Sequence, residues 1–333
     1  MNLYTPDGWL NIPKIMARPF TFNIIIGARG TGKSYGAIKW ALDNNLEHIY
    51  MRRTANDLDA VIKQQNLNPY FAVDPSLIWG KGGGAGLVPI YGEDRKIKGY
   101  GTSLAAVGRV RGFSGNSIDF IFYDEFVRKA TEPRRKGEGV AVFDIYESIN
   151  RNRELIGLAP VKFLAASNSD SLVNDLFVEL NLVTPAQRMK EKGLEVYEDP
   201  ARGIALYMPS NSPISEKKKD TALYRLLGDN AYAKMALGNE FINEDLTNVE
   251  SKRLAGYAPL VIVGELCIYK HKSKREYYVT THKSGTPETY TAAEMDLKRF
   301  RRDYAFVWLA YLGRRVYFET YINKCLFERY FDI

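Results

Sequence analysis

The chain has 333 residues, 45% hydrophobic and 26% charged, a globular composition with room for one large or two medium domains. No run of about 18 apolar residues occurs, and the opening M-N-L-Y-T-P-D-G-W lacks the basic start and apolar core of a secretion signal, so no membrane partner and no export leader are expected. The net charge of +7 is unevenly placed: residues 251–333 carry 15 Lys and Arg against 9 Asp and Glu, whereas residues 1–250 carry 31 against 30. A basic terminal region suits a polyanion such as DNA or RNA, although ordinary solvation accounts for the charge equally well. Cys267 and Cys325 lack metal-ligand spacing and read as small core residues of a reducing compartment, and His48, His271 and His282 are too scattered for a metal cluster.

In chain order, P-F-T-F-N-I-I-I (19–26) reads as a buried strand, the glycine-rich turn 27–34 as the opening of a helix through Leu42, and H-I-Y-M-R-R (48–53) as a second strand. Residues 54–117 are mixed, with K-G-G-G-A-G (81–86) as a flexible turn. I-D-F-I-F-Y-D-E (118–125) is an apolar strand ending in two carboxylates, and V-K-F-L-A-A-S-N (161–168) is a further strand. Strands alternating with helical stretches predict an α/β fold with a mostly parallel central sheet, whose active groups gather at the carboxyl ends of the strands. Residues 211–249 predict a short helical linker subdomain between a nucleotide-binding domain (1–210) and a basic C-terminal domain (250–333). The latter is strand-rich at P-L-V-I-V-G-E-L-C-I-Y and E-Y-Y-V-T-T-H. The amphipathic helix T-A-A-E-M-D-L-K-R-F-R-R and a final V-Y-F-E-T-Y-I segment follow.

The turn Gly27, Ala28, Arg29, Gly30, Thr31, Gly32, Lys33, Ser34 fits the phosphate-binding pattern G-x-x-x-x-G-K-[ST], in the strand-to-helix context that gives the pattern meaning. Its glycines let backbone amides curl around a phosphate, Lys33 reaches the β- and γ-phosphates, and the Ser34 hydroxyl ligates Mg²⁺. Asp124, at the end of a buried strand, is placed to hold the same Mg²⁺, and Glu125 to polarise an attacking water. Two solvated carboxylates are the plainer alternative, which the apolar run Phe120–Tyr123 disfavours. Asn168, ending another strand, is a candidate to hydrogen-bond the lytic water or γ-phosphate, or else serves turn chemistry alone.

Four arginines are candidate contacts to a nucleotide. Arg29 lies within the loop itself, in reach of the γ-phosphate in cis or as a bystander. Arg151 and Arg153 in I-N-R-N-R-E, and Arg111 in R-V-R-G-F-S-G, are candidates to reach a neighbouring subunit's site, or make surface salt bridges. An arginine supplied in trans is worth about 10³ to 10⁵ in rate where it has been measured. The basic stretch after the carboxylates offers Arg128, Lys129, Arg134, Arg135 and Lys136 as an exposed loop able to track a phosphate backbone, or merely to be solvated.

Together G-A-R-G-T-G-K-S, the strand ending D-E-F, R-N-R-E and S-N resemble the genome-packaging ATPases of small short-tailed, protein-primed phages, relatives of the large terminase motors. The resemblance covers residues 20–180 well and the rest by layout. It implies an ASCE-type P-loop ATPase domain using ATP and Mg²⁺, in a homo-oligomeric ring of five subunits. That ring docks in the host cytoplasm on the portal (connector) of a procapsid and threads double-stranded DNA, with a structural RNA as a further partner. By the same resemblance Arg151 is the foremost trans contact, Arg111 a second and Arg153 a backup, while Asn168 couples hydrolysis to movement. Large terminases add an RNase H-like nuclease with clustered metal-binding aspartates. Here residues 251–333 hold only Asp296, Asp303 and Asp332, with Glu265 as the nearest substitute, so an inactive, degenerate nuclease-like α/β domain is expected.

A rival reading is a P-loop NTPase of another class, a kinase or a nucleotide-dependent assembly switch, with a nucleic-acid-binding C-terminal domain. A GTPase is disfavoured because no N-K-x-D motif occurs: Asn323-Lys324 is followed by Cys325-Leu326. Glu125 and the basic terminal domain are what a small-molecule kinase leaves unexplained.

Overall fold

The computed structural model describes residues 2–64, 68–82, 86–110, 115–129, 132, 137–169, 171–238 and 246–331. The chain forms two compact units, Met1–Ile242 and Asn243–Ile333.

The first unit is built on nine strands: β1 (Phe22–Ile26), β2 (His48–Arg52), β3 (Ile78–Trp79), β4 (Val88–Tyr91), β5 (Ile97–Ser103), β6 (Phe120–Asp124), β7 (Lys162–Ser167), β8 (Val196–Asp199) and β9 (Ile204–Tyr207). They lie in the order β3-β4-β5-β2-β6-β7-β1-β9-β8. The six strands from β5 to β9 in that order run parallel, and antiparallel partners occupy the two edges. Ile24–Ile26, Ile49–Met51, Phe120–Tyr123 and Leu164–Ala166 are all buried, because a parallel sheet covered on both faces has no wet side. The helix Lys33–Asp43 buries Ala37, Ile38 and Ala41, and its Trp40 meets Phe120 edge to face at 5.0 Å.

The sheet order decides the site. β7 pairs with β1 on one side and β6 on the other, so it separates the strand feeding the glycine loop from the strand carrying the two carboxylates. The stretch read as mixed, 54–117, contributes the helix Ala55–Lys63 with a Thr54–Asp57 capping box, and the strands β3 to β5. Its strands V-P-I-Y and I-K-G-Y-G-T-S carry proline and glycine, which obscure a strand pattern.

Residues 211–238, expected as part of a separate linker, fold as three short helices (Pro213–Lys218, Ala222–Leu227, Ala231–Gly238) within the first unit. Ile214 and Ser215 are buried and Pro213 packs on Gly8, so this segment adds to the first core instead of spanning a gap.

The second unit holds a five-stranded sheet of β10 (Tyr257–Val263), β11 (Leu266–His271), β12 (Tyr277–Thr280), β13 (Glu288–Tyr290) and β14 (Val316–Phe318), in the order β13-β10-β11-β12-β14. β10, β11 and β12 are antiparallel, β13 runs parallel to β10 and β14 parallel to β12. The β10–β11 hairpin turns at Gly264 (φ +52°), where a Cβ would strike the Tyr330 ring. The helix Glu294–Asp303 buries Leu297 and Phe300, and helices Ala305–Leu312 and Tyr321–Phe331 complete the unit. Among the described residues no helix is long and apolar enough to cross a membrane.

Candidate functional site: a phosphate loop facing paired carboxylates

The loop that follows β1 puts Gly30 (φ +64°) and Gly32 (φ +91°) in left-handed backbone, which is why glycine is required there. Lys33, at the first position of the helix, turns its buried ammonium back under the loop. It donates to Gly27 O at 3.0 Å, Ala28 O at 2.7 Å and Asn168 Oδ1 at 3.1 Å, using all three of its protons. Burial pushes this ammonium down to about 8, against the opposing pull of Asp124 and Glu125.

Asp124 is buried at the end of β6. Ser34 Oγ donates to its Oδ1 at 2.9 Å and Tyr50 Oη to its Oδ2 at 3.0 Å. Burial raises its carboxyl above the usual range; the adjacent Arg52 cation opposes this and Glu125 adds to it. Glu125 turns out of the strand with φ +53°, its amide still bonded to Ala166 O at 2.8 Å, and leaves its carboxylate half exposed. Arg52, at the end of β2, joins the pair: Nη1 lies 3.2 Å from Asp124 Oδ2 and Nη2 2.7 Å from Glu125 Oε2. Asn168 follows β7, so Lys33, Asn168, Asp124 and Glu125 come from the carboxyl ends of three adjacent parallel strands.

The Ser34 hydroxyl and the Asp124 carboxylate are hard oxygen donors in contact with each other beside the loop. That fits Mg²⁺, which takes one or two protein oxygens and completes its octahedron with phosphate and water. Among the described residues no three His, Cys, Asp or Glu side chains converge on a metal position.

Arginines expected at the site divide sharply. Arg151 ends the helix Glu138–Asn150 with φ +43° and ψ −124°, exposed, its Nε donating to Ser148 O at 3.0 Å. Arg153, expected as a backup finger, is instead a buried staple. Its guanidinium donates to Ala159 O (3.0 Å), Asn116 O (3.1 Å), Ile118 O (2.8 Å) and Asp119 Oδ1 (2.7 Å), which leaves it no reach toward another subunit. Arg29 lies with its guanidinium 5.7 Å from the Tyr232 ring centroid, and its amide donates to Ala236 O at 2.9 Å. Arg111, Arg134, Arg135 and Lys136 lie outside the described residues. Of the remaining basic stretch, Arg128 bonds Glu132 O at 2.5 Å. Lys129 lines a small cavity with Glu125 and Asn168, next to the carboxylates.

Three further residues touch the site unannounced by sequence. Arg52 and Tyr50 sit in H-I-Y-M-R-R, and their chemistry depends on β2 lying beside β6, which no local pattern declares. Lys218, from the helix Pro213–Lys218, donates to Arg29 O at 2.8 Å and Gly30 O at 3.0 Å on the glycine loop. The only sequence hint was an unusual E-K-K-K run at the start of that segment.

The model of the podovirus DNA encapsidation protein (Gp16) family matches residues 4–299. The chain belongs to that family. Relatives of this family member include the DNA packaging protein of Bacillus phage PZA, 26% identical over 307 residues, which cover 88% of this chain and 83% of that one. The DNA packaging protein of Bacillus phage phi29 is 25% identical over 307 residues, with the same two shares. Among solved structures, a chain of the bacteriophage Phi-29 viral genome packaging motor assembly aligns with a TM-score of 0.65 at 19% identity, covering 97% of this chain and 98% of that one. A chain of the Phi-28 gp11 DNA packaging motor aligns with a TM-score of 0.63 at 15% identity, over 99% of each. The fold of this Gp16-family chain is therefore shared along its whole length, and as a family member it is a viral DNA packaging protein.

Proposed function

We propose that this chain is the ATPase subunit of a packaging motor, hydrolysing ATP to drive double-stranded DNA through a procapsid portal. The observation that carries the reading is the contact of Ser34 with Asp124, with Glu125 next in the chain and Asn168 bonded to Lys33. A phosphate cradle, a metal-binding pair and a half-exposed carboxylate are thereby gathered at one end of one sheet.

In this reading the loop amides and Lys33 hold the β- and γ-phosphates, and Lys33 exchanges its bonds to Gly27, Ala28 and Asn168 for phosphate oxygens. Ser34 and Asp124 hold Mg²⁺, which when bound neutralises charge on the transferred phosphoryl group. Glu125 takes a proton from the attacking water, and Asn168, released by Lys33, orients that water or the γ-phosphate. Arg151, exposed at a helix end, is the arginine placed to reach a neighbouring subunit in a ring, for which five copies is the number the resemblance implies. Arg29 remains a cis contact that must leave Tyr232 to reach phosphate. Arg111 stays a second candidate to reach the neighbouring subunit, and Arg128, Lys129, Arg134, Arg135 and Lys136 stay candidates for contacts to DNA.

The second unit serves docking to DNA, portal or a structural RNA, without nuclease activity. Its Asp303 is engaged by Arg302 and Tyr290, and its Asp296 by Thr291, which leaves neither poised for a two-metal site. The working location is the host cytoplasm, on the procapsid.

ATP turnover measured with and without long double-stranded DNA tests the proposal. Stimulation by DNA that is lost in Lys33→Ala and Glu125→Gln supports it. DNA-independent phosphorylation of a small acceptor would overturn it in favour of a kinase. Mixed Arg151→Ala and Glu125→Gln subunits, each inactive alone, regain activity if Arg151 acts across an interface.

A further inference from the structure

Each backbone carbonyl from Gly27 to Thr31 accepts a hydrogen bond, and the donors come from three separate segments of the chain. Lys33 Nζ donates to Gly27 O at 3.0 Å and Ala28 O at 2.7 Å. Lys218 Nζ donates to Arg29 O at 2.8 Å and Gly30 O at 3.0 Å, and Leu10 N to Thr31 O at 3.0 Å. These peptide bonds are trans, so the amide of the following residue points to the side opposite each carbonyl. Holding the carbonyls of Arg29 and Gly30 therefore sets the direction of the Gly30 and Thr31 amides.

The two lysines differ in what they can do next. Lys33 is buried, and in the nucleotide reading it gives up Gly27 and Ala28 for phosphate oxygens, while Ala28 O keeps the Thr31 hydroxyl at 3.2 Å. Lys218 is half-buried and reaches the loop from the end of the helix Pro213–Lys218. A phosphate meets the amides of such a loop and not its carbonyls. An ammonium bonded to two carbonyls can thus keep both bonds while the anion sits on the amide side. Gly30 leaves room for it: its φ is +64°, and a Cβ there would strike Lys218 Nζ. The same stretch of chain holds the loop a third time, because Arg29 N donates to Ala236 O at 2.9 Å.

We infer that Lys218 is a positioning residue for the phosphates, which clamps the Arg29 and Gly30 carbonyls and so presents the Gly30 and Thr31 amides to the β-phosphate. The inference rests on the nucleotide reading of the loop and adds that its amides are aimed by a cation far outside the motif. A charge-assisted bond to a carbonyl also polarises that peptide and strengthens its N–H as a donor. Without the clamp the two peptides are freer to turn, and binding must first order them.

The test is calorimetric titration of the full chain with ATP, ADP and inorganic tripolyphosphate, in wild type, Lys218→Met, Lys218→Arg and Lys219→Met. Methionine keeps the stem without the donors, and arginine supplies donors for both carbonyls. Lys219→Met removes the same charge one residue away, where the ammonium pairs with Glu216 at 2.7 Å. The expected result is that Lys218→Met weakens all three ligands by a common factor of about tenfold, Lys218→Arg stays within about threefold of wild type, and Lys219→Met changes none. A loss for ATP and tripolyphosphate that spares ADP makes Lys218 a direct ligand of the γ-phosphate and overturns the clamp. Unchanged affinities in Lys218→Met overturn it, as do equal losses in Lys219→Met or an arginine that restores nothing. In each of these cases wild-type binding leaves the nucleotide reading standing. A wild type that binds none of the three ligands overturns that reading, and this inference with it.

Discussion

Arg52 donates to Glu125 across 2.7 Å, and the same guanidinium also reaches Asp124 at 3.2 Å. It is the cation that the buried aspartate and its neighbouring glutamate share. Removing one partner of a buried pair costs about 3 to 5 kcal/mol because the other charge is left uncompensated. Arg52→Met is expected to lower unfolding stability by about 3 kcal/mol in urea titrations. Arg52→Met/Asp124→Asn should lose less than the sum of the single changes. Additive losses would show that the contact does not carry the effect.

Arg151 and Arg153 are two residues apart and should behave as opposites. Arg153→Ala removes four bonds from a buried guanidinium, so a stability loss of about 2 to 4 kcal/mol is expected. Arg151→Ala, at an exposed position, should change stability by no more than about 0.5 kcal/mol. Its effect should fall on DNA-stimulated turnover, by about 10³-fold if it acts as an arginine finger. Urea melts and turnover measured on the same preparations separate the two.

The lowered ammonium of Lys33 gives nucleotide binding a pH signature. With a value of about 8 in the free protein, Lys33 is charged below that pH and progressively neutral above it. Phosphate favours the charged form, so binding above pH 8 takes up a proton and weakens as pH rises, by at most about tenfold per unit. Affinity should be flat from pH 6.5 to 7.5 and fall between pH 8 and 9.5. Calorimetry in buffers of different ionisation enthalpy should register the proton uptake at pH 8.5 and none at pH 7. Proton release there would contradict the assignment.

Lys218 ties the segment 213–218 to the loop through Arg29 O and Gly30 O. Lys218→Met keeps the aliphatic stem and removes both bonds, so amide exchange within residues 29–34 should accelerate by about tenfold, the equivalent of one to two net hydrogen bonds. Exchange confined to wild-type rates would mean that the loop holds its shape unaided.

The strand, loop and helix around Lys33 were legible because the pattern there is tightly constrained: glycine by left-handed backbone at 30 and 32, lysine and serine by the phosphate-loop motif they complete. The D-E ending of β6 was legible for a similar reason, since four buried apolar residues precede it. Arg52 was not, because its partners belong to a neighbouring strand and sheet order leaves no mark in a linear pattern. Nor could R-N-R-E say which arginine faces outward. That is decided by the helix ending at Asn150, which throws Arg151 into solvent and folds Arg153 back onto Asn116, Ile118, Asp119 and Ala159. Strands β3 to β5 were hidden by their prolines and glycines. The segment 211–238 read as linker because its polar, lysine-rich outer face conceals the buried Ile214.

Glu125 and Arg151 share a backbone peculiarity, φ of +53° and +43°, where side-chain-bearing residues pay a steric penalty and glycine does not. Glycine at Arg151 should relieve about 1 kcal/mol of strain, whereas at Glu125 the same relief is offset by loss of the ion pair with Arg52. Selection for thermal robustness alone would thus drive this chain away from the arginine at position 151. A stabilisation campaign on the protein should therefore hold Arg151, the proposed trans contact, fixed by an activity screen, because a melting-temperature screen rewards its loss.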